Sequence, residues 1–170
     1  MAANDELYWR ETYFILFPHK KRPTLDQVST ALVNANHRFQ IENPASDSEG
    51  LIESLLVESP EDHAAVEISY EVGDAIIEQN LAWAKQLRES LAPAQLQELI
   101  VADARLDVAH FERMNAGYGT SGTDDFPDEF ADPEDDYDML DPTCLLTVVE
   151  TLASLTGGLT FDPASGEILT

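Results

Sequence analysis

Between Ala65 and Val72 the chain alternates strictly: Val66, Ile68, Tyr70 and Val72 share one parity, and Glu67, Ser69 and Glu71 the other. Successive side chains of a strand point to opposite faces, so this pattern requires a sheet with one face buried and the other polar. Such alternation belongs to antiparallel sheets, because strands of a parallel sheet are covered on both faces and read as continuous apolar runs. A second alternation runs from Leu99 to Phe111, where Ile100, Ala102, Ala104, Leu106 and Val108 oppose Asp103, Arg105 and Asp107. We read it as another strand, with the charged side solvated.

The other elements arrange themselves around these two. Thr12 to Phe17 is a buried strand stopped by Pro18. A helix opens at Pro23-Thr24, where Thr24 and Gln27 have capping-box spacing, and Leu25, Val28, Leu32 and Ala35 carry it to Asn36. Extended segments are predicted over Arg38–Glu42, Leu51–Glu58 and Ala64–Val72, the last two as a hairpin. A long helix over Asp74–Leu91 is closed by Pro93. Asp141-Pro142 supplies an N-cap and a first-turn proline for a helix that ends at Gly157-Gly158. Leu159–Phe161 and Glu167–Leu169 form a terminal hairpin. This order predicts an α+β fold, with helices packed on one face of a largely antiparallel sheet, in a ferredoxin-like variant carrying a long insertion. At 170 residues the chain reads as one domain over 1–170.

Charge is distributed unevenly. Thirty-three acids against nine Lys and Arg give a net charge of −24, and every basic residue lies at or before Arg113. Ten acids fall between Asp124 and Asp141, after the glycine-rich run Asn115 to Thr123. Like charges at that density repel one another, so 115–140 reads as a flexible acidic loop or insertion. The charge excludes nucleic acid and anionic membrane as partners, because both recruit cationic side chains. The polar start lacks a secretory signal's basic and apolar parts, which predicts a cytoplasmic protein.

Several chemistries lack their parts. No glycine-rich turn followed by lysine is present to cradle a phosphate, and no cofactor is expected. Cys144, at the third residue of a predicted helix, is the one candidate thiol nucleophile. It reads as a small buried hydrophobe whose neighbours Asp138 and Asp141 oppose thiolate formation. Of His19, His37, His63 and His110, none is paired at helical spacing, and His110 with Glu112 could set an imidazole and a carboxylate on one strand face. Asp132, Glu134, Asp136 and Asp138 offer oxygens at alternate positions for a hard cation. An EF-hand frame starting at Asp132 fails, with Tyr137 where glycine is required and Thr143 where glutamate is required.

Acids interleaved with aromatics make a different kind of site. Asp125, Phe126, Glu129, Phe130, Asp135, Asp136, Tyr137 and Asp138 could dock on a basic protein. The leading expectation is therefore a non-enzymatic protein-binding module that uses an acidic loop, as an inhibitor or immunity-type protein would against a basic partner. Its alternatives are a small hydrolase or isomerase with a carboxylate and histidine pocket, and a structural module in which strand edges pair between copies as a homo-oligomer.

Overall fold

The computed structural model describes residues 5–115 and 143–169. Seven strands form one sheet: β1 (Asp5–Phe17), β2 (Gln40–Ser46), β3 (Ile52–Ser59), β4 (Ala64–Val72), β5 (Ala104–Asn115), β6 (Leu159–Asp162) and β7 (Glu167–Leu169). Among the described residues four α-helices pack against it: α1 (Leu25–Ala35), α2 (Asp74–Leu87), α3 (Pro93–Val101) and α4 (Thr143–Thr156). The spatial order is β2-β3-β4-β5-β1-β6-β7, and every neighbouring pair is antiparallel. The fold is α+β, as the alternation requires.

The antiparallel pairs fix strand directions. β5 and β6 run the same way with β1 between them, and β1 and β2 run the same way with β5, β4 and β3 between them. Both pairs are joined through helices, α4 and α1, which makes each a split βαβ unit. Taking out β3, β4, α2, α3 and the terminal β7 leaves the order β6-β1-β5-β2, the ferredoxin-like arrangement, so the topology is that unit with two strands and two helices inserted and one strand added after β6.

Adjacent residues of β1 divide the interior in two. Ile15 and Phe17 enter a large core with Val66 and Ile68 of β4, Leu106 and Val108 of β5, Val28 and Leu32 of α1, and Leu145, Val148 and Leu152 of α4. Leu16 points the other way, into a smaller core with Leu159, Phe161, Ala84 of α2 and Leu99 of α3. Helices α1 and α4 thus cover one face as expected, and α2 and α3 cover part of the opposite face. There Trp83 stacks with its ring centroid 4.4 Å from Phe161 and 5.8 Å from Phe14.

Several boundaries correct the sequence reading. Pro93 does not close a helix but opens α3 at its first position, where a missing N–H is harmless, while α2 ends at Leu87. Leu99 to Val101 are therefore helical, and the strand expected from Leu99 begins at Ala104. Its charged face is not solvated: Arg105 is 7% exposed, its guanidinium 3.9 Å from the Phe14 ring and bonded to Glu71 and to Gln79 of α2 at 2.6 Å each. The second layer of helices closes over that side.

β1 starts seven residues before the expected Thr12, and a bulge explains the miss. The register with β5 shifts between Trp9 and Glu11, so Arg10 is extra and the two-residue period breaks there. β2 runs to Ser46 through Asn43, at φ 50°, and Pro44; an edge strand tolerates both where pairing with β3 is interrupted. The Thr24 capping box and the terminal hairpin form as predicted. The acidic insertion expected over 115–140 lies outside the described residues from 116 onward, as does the Asp141-Pro142 cap.

Candidate binding surface

The first half of β1 is where the sheet is incomplete. β5 pairs with β1 from Asp5 to Phe17, whereas on the other side β6 reaches only Phe14, Ile15 and Leu16. No described strand pairs with that second edge of β1 before Phe14. This stretch also carries the three consecutive exposed apolar side chains Leu7, Tyr8 and Trp9, and Trp9, 60% exposed, is the most open large hydrophobic described.

The bulge sorts these residues onto faces. Leu7, Trp9 and Thr12 stand opposite Arg113, Phe111 and Ala109, on the α2/α3 face, while Tyr8 and Glu11 stand opposite Glu112 and His110, on the α1/α4 face. The Trp9 indole N–H donates to Thr12 Oγ1 at 2.8 Å across the bulge, which holds an exposed aromatic in one orientation. Arg10, the bulged residue, reaches Glu112 at 3.4 Å. The apolar and polar sides of this edge are therefore distinct.

An acidic notch closes the open stretch. Asp162 ends β6 on the α1/α4 face, paired with Glu167 of β7, and Tyr13 lies beside them. Burial raises the Tyr13 pKa first, and the negative charges of Glu11, Asp162 and Glu167 raise it further. Three carboxylates thus surround one phenol where the strand loses its neighbour.

The residues singled out from sequence fall in different places. His110 is 7% exposed and does share a face with Glu112, but its Nδ1 meets Glu11 Oε2 at 3.3 Å while Glu112 turns to Arg10. Tyr70 is opposite Leu106, far along the sheet from Glu112, under the Arg22 guanidinium at 4.0 Å. Cys144 is 1% exposed in the large core, as a small hydrophobe would be. His63 occupies a left-handed position at φ 50° after a 3₁₀ turn, and its carbonyl accepts from Arg113 N–H. Asp125, Phe126, Glu129, Phe130, Asp132, Glu134, Asp135, Asp136, Tyr137 and Asp138 all lie outside the described residues. Among the described residues no group of three or more His, Cys, Asp or Glu is arranged to hold a metal ion.

One pair escaped the sequence entirely. His19 donates its backbone N–H to Asp103 Oδ1, and its Nδ1 lies 2.7 Å from Asp103 Oδ2, across 84 residues of chain. Burial opposes ionisation of Asp103, yet the two His19 hydrogen bonds prevail and hold its pKa below the ordinary value. Nothing local announces this contact; the meeting of the 19–21 turn with the α3–β5 connection creates it. A broad groove of about 370 Å³ between α1 and α4, lined by Ala31, Glu150, Thr151, Ser154 and Leu155, contains neither histidine nor cysteine.

No family model, curated protein or solved structure compared with this chain matches it. No helix among the described residues is long and apolar enough to cross a membrane.

Proposed function

We propose that the protein is a non-enzymatic binding module for a basic protein partner, in the manner of an inhibitor or immunity-type protein. The observation that carries this reading is the coincidence of Trp9, the most exposed aromatic among the described residues, with the acid-lined end of β6 beside β1 in a chain of net charge −24. Exposed aromatics supply contact area at low entropic cost, and a complementary field raises association rates and excludes acidic competitors. The acids and aromatics from Asp125 to Tyr137 have the same composition and are assigned the same role. Enclosure of Cys144 and engagement of His110 by Glu11 support binding over catalysis. A cytoplasmic setting fits a lone cysteine that is buried and forms no disulfide.

The test uses the full-length protein, immobilised, with basic proteins retained from a cell extract at about 50 mM salt. A retained partner is expected to bind at least about tenfold more weakly at about 500 mM salt, where surface charges are screened within a few ångströms. An affinity indifferent to salt rejects the electrostatic basis of the reading.

A further inference from the structure

We infer that His19 is a phosphoryl-accepting side chain, nucleophilic at Nε2 and oriented by Asp103, which takes its phosphoryl group from a phosphoramidate donor. The inference is independent of the basic-partner reading. An ionised carboxylate only accepts, so the 2.7 Å contact between Asp103 Oδ2 and His19 Nδ1 puts a proton on Nδ1. In the neutral ring the lone pair then lies on Nε2, which has no hydrogen-bond partner among the described residues. Backbone bonds fix both members of the pair. His19 N–H donates to Asp103 Oδ1 at 2.7 Å, Arg22 N–H closes the turn on His19 O at 3.1 Å, and Gly73 N–H donates to Asp103 O at 3.3 Å. With Nδ1 facing Asp103, the His19 side chain, 64% exposed, presents its other edge to solvent and to a donor carried by another protein. The remaining histidines lack this combination. Neither His37 nor His63 has a carboxylate against its ring among the described residues, and His110, which has Glu11, is 7% exposed.

Neighbouring charge selects the electrophile. His19 to Arg22 is a run of four basic residues with no acid between them, in a chain of net charge −24. Lys20 and Lys21 are exposed in the same 3₁₀ turn and stand outside the ion pairs that engage Arg10, Arg22, Arg38, Arg105 and Arg113. The acids at this turn are Asp103, held by His19, and Asp47, held by Arg22. The two free ammonium groups therefore favour an anionic phosphoryl group over a neutral acyl group. In the transfer the Nε2 lone pair forms a new N–P bond as the donor's own P–N bond breaks, its electron pair leaving with the amine. The ring keeps its Nδ1 proton, and the positive charge it gains faces the Asp103 carboxylate. Nothing is oxidised or reduced. The product carries about two negative charges beside Lys20 and Lys21, enough to cancel their charge.

The experiment incubates the full-length protein with potassium phosphoramidate, with N-acetylhistidine in the same mixture as a reference. Labelling of each histidine is followed by mass spectrometry, and the phosphorylated nitrogen is identified by ³¹P NMR. His19 is expected to be labelled at least about tenfold faster than His37, and at Nε2 only. Asp103→Asn, checked for folding by circular dichroism, is expected to bring His19 down to the rate of His37 and to spread its label over both ring nitrogens, a change that a merely structural pair would not produce. Lys20→Gln combined with Lys21→Gln is expected to slow labelling and leave its position at Nε2. Equal rates at His19 and His37, or label at Nδ1 of His19 in the unaltered protein, overturn the inference without recourse to any variant. So does an unlabelled His19 in a mixture where N-acetylhistidine is labelled. Unchanged labelling of the double lysine variant overturns the choice of an anionic donor.

Discussion

Asp107 shows how one carboxyl can be set against the fold that carries it. It is half-buried on the α2/α3 face, and burial is the main cause raising its pKa; Glu71 raises it further, Arg105 pulls it down less strongly than Glu71 raises it, and Glu67 adds a smaller upward push. A raised carboxyl pKa means that the folded chain holds its proton at pH values where the unfolded chain has released it. Stability therefore falls as pH rises through the window from the unfolded to the folded value. Asp107→Asn should remove that loss, giving a higher Tm at neutral pH and a flatter pH profile, read by thermal melts across pH 3–7. Asp103 has the opposite sign. Its pKa is lowered, so its contribution is present above the unfolded carboxyl value and is lost as pH falls through the folded one. Asn80 is fully enclosed, donates Nδ2–H to Ala102 O at 2.9 Å, and has no partner for Oδ1. Asn80→Asp replaces the donor with a buried acceptor facing that carbonyl. It should lower unfolding free energy by about 3 kcal/mol in urea titrations.

At the scale of elements, end signals were more legible than lengths. The Thr24 hydroxyl accepts from Gln27 N–H at 3.0 Å and Gln27 Oε1 accepts from Thr24 N–H at 2.9 Å, the reciprocal pair read from a four-residue motif. Thr24→Ala should destabilise by about 1 kcal/mol. At the other end of the chain, Gly157 turns α4 off at φ 67°, and Gly158 then passes against β1 so closely that a Cβ would lie 2.8 Å from Leu16 O and 2.9 Å from Ile15 Cγ2. Gly158→Ala should cost more than the cap does, about 2–3 kcal/mol, since backbone must move; the same urea titration ranks the two. Caps are local chemistry and could be read directly. The start of β1 could not, because the Arg10 bulge interrupts the period that identifies a strand. Nor could the start of β5, because the end of α3 happens to place Ile100 and Ala102 in phase with Ala104, Leu106 and Val108, so the alternating pattern runs back through them.

For the whole molecule, the consequence of the insertion within the ferredoxin-like unit is a second core. β3, β4, α2 and α3 widen the sheet and place a helical layer on a face that a four-stranded unit leaves open. That layer reaches Arg105 and Phe14 but stops short of Leu7 and Trp9, leaving the β1 ribbon exposed on the same side. Trp9→Ala should accordingly change unfolding free energy by no more than about 0.5 kcal/mol, which separates its role in binding from any role in folding.

The antiparallel sheet, the α+β class, the capped α1, the terminal hairpin and the burial of Cys144 were determined by sequence alone, because each follows from side-chain periodicity or from contacts within a few residues. The candidate surface was not. Its parts, Leu7 to Thr12, His110 to Glu112, Asp162 and Glu167, are scattered along the chain. They form one acidic, aromatic edge only because β5 pairs along the whole of β1 and β6 stops at Phe14, a difference in strand length that tertiary pairing alone decides.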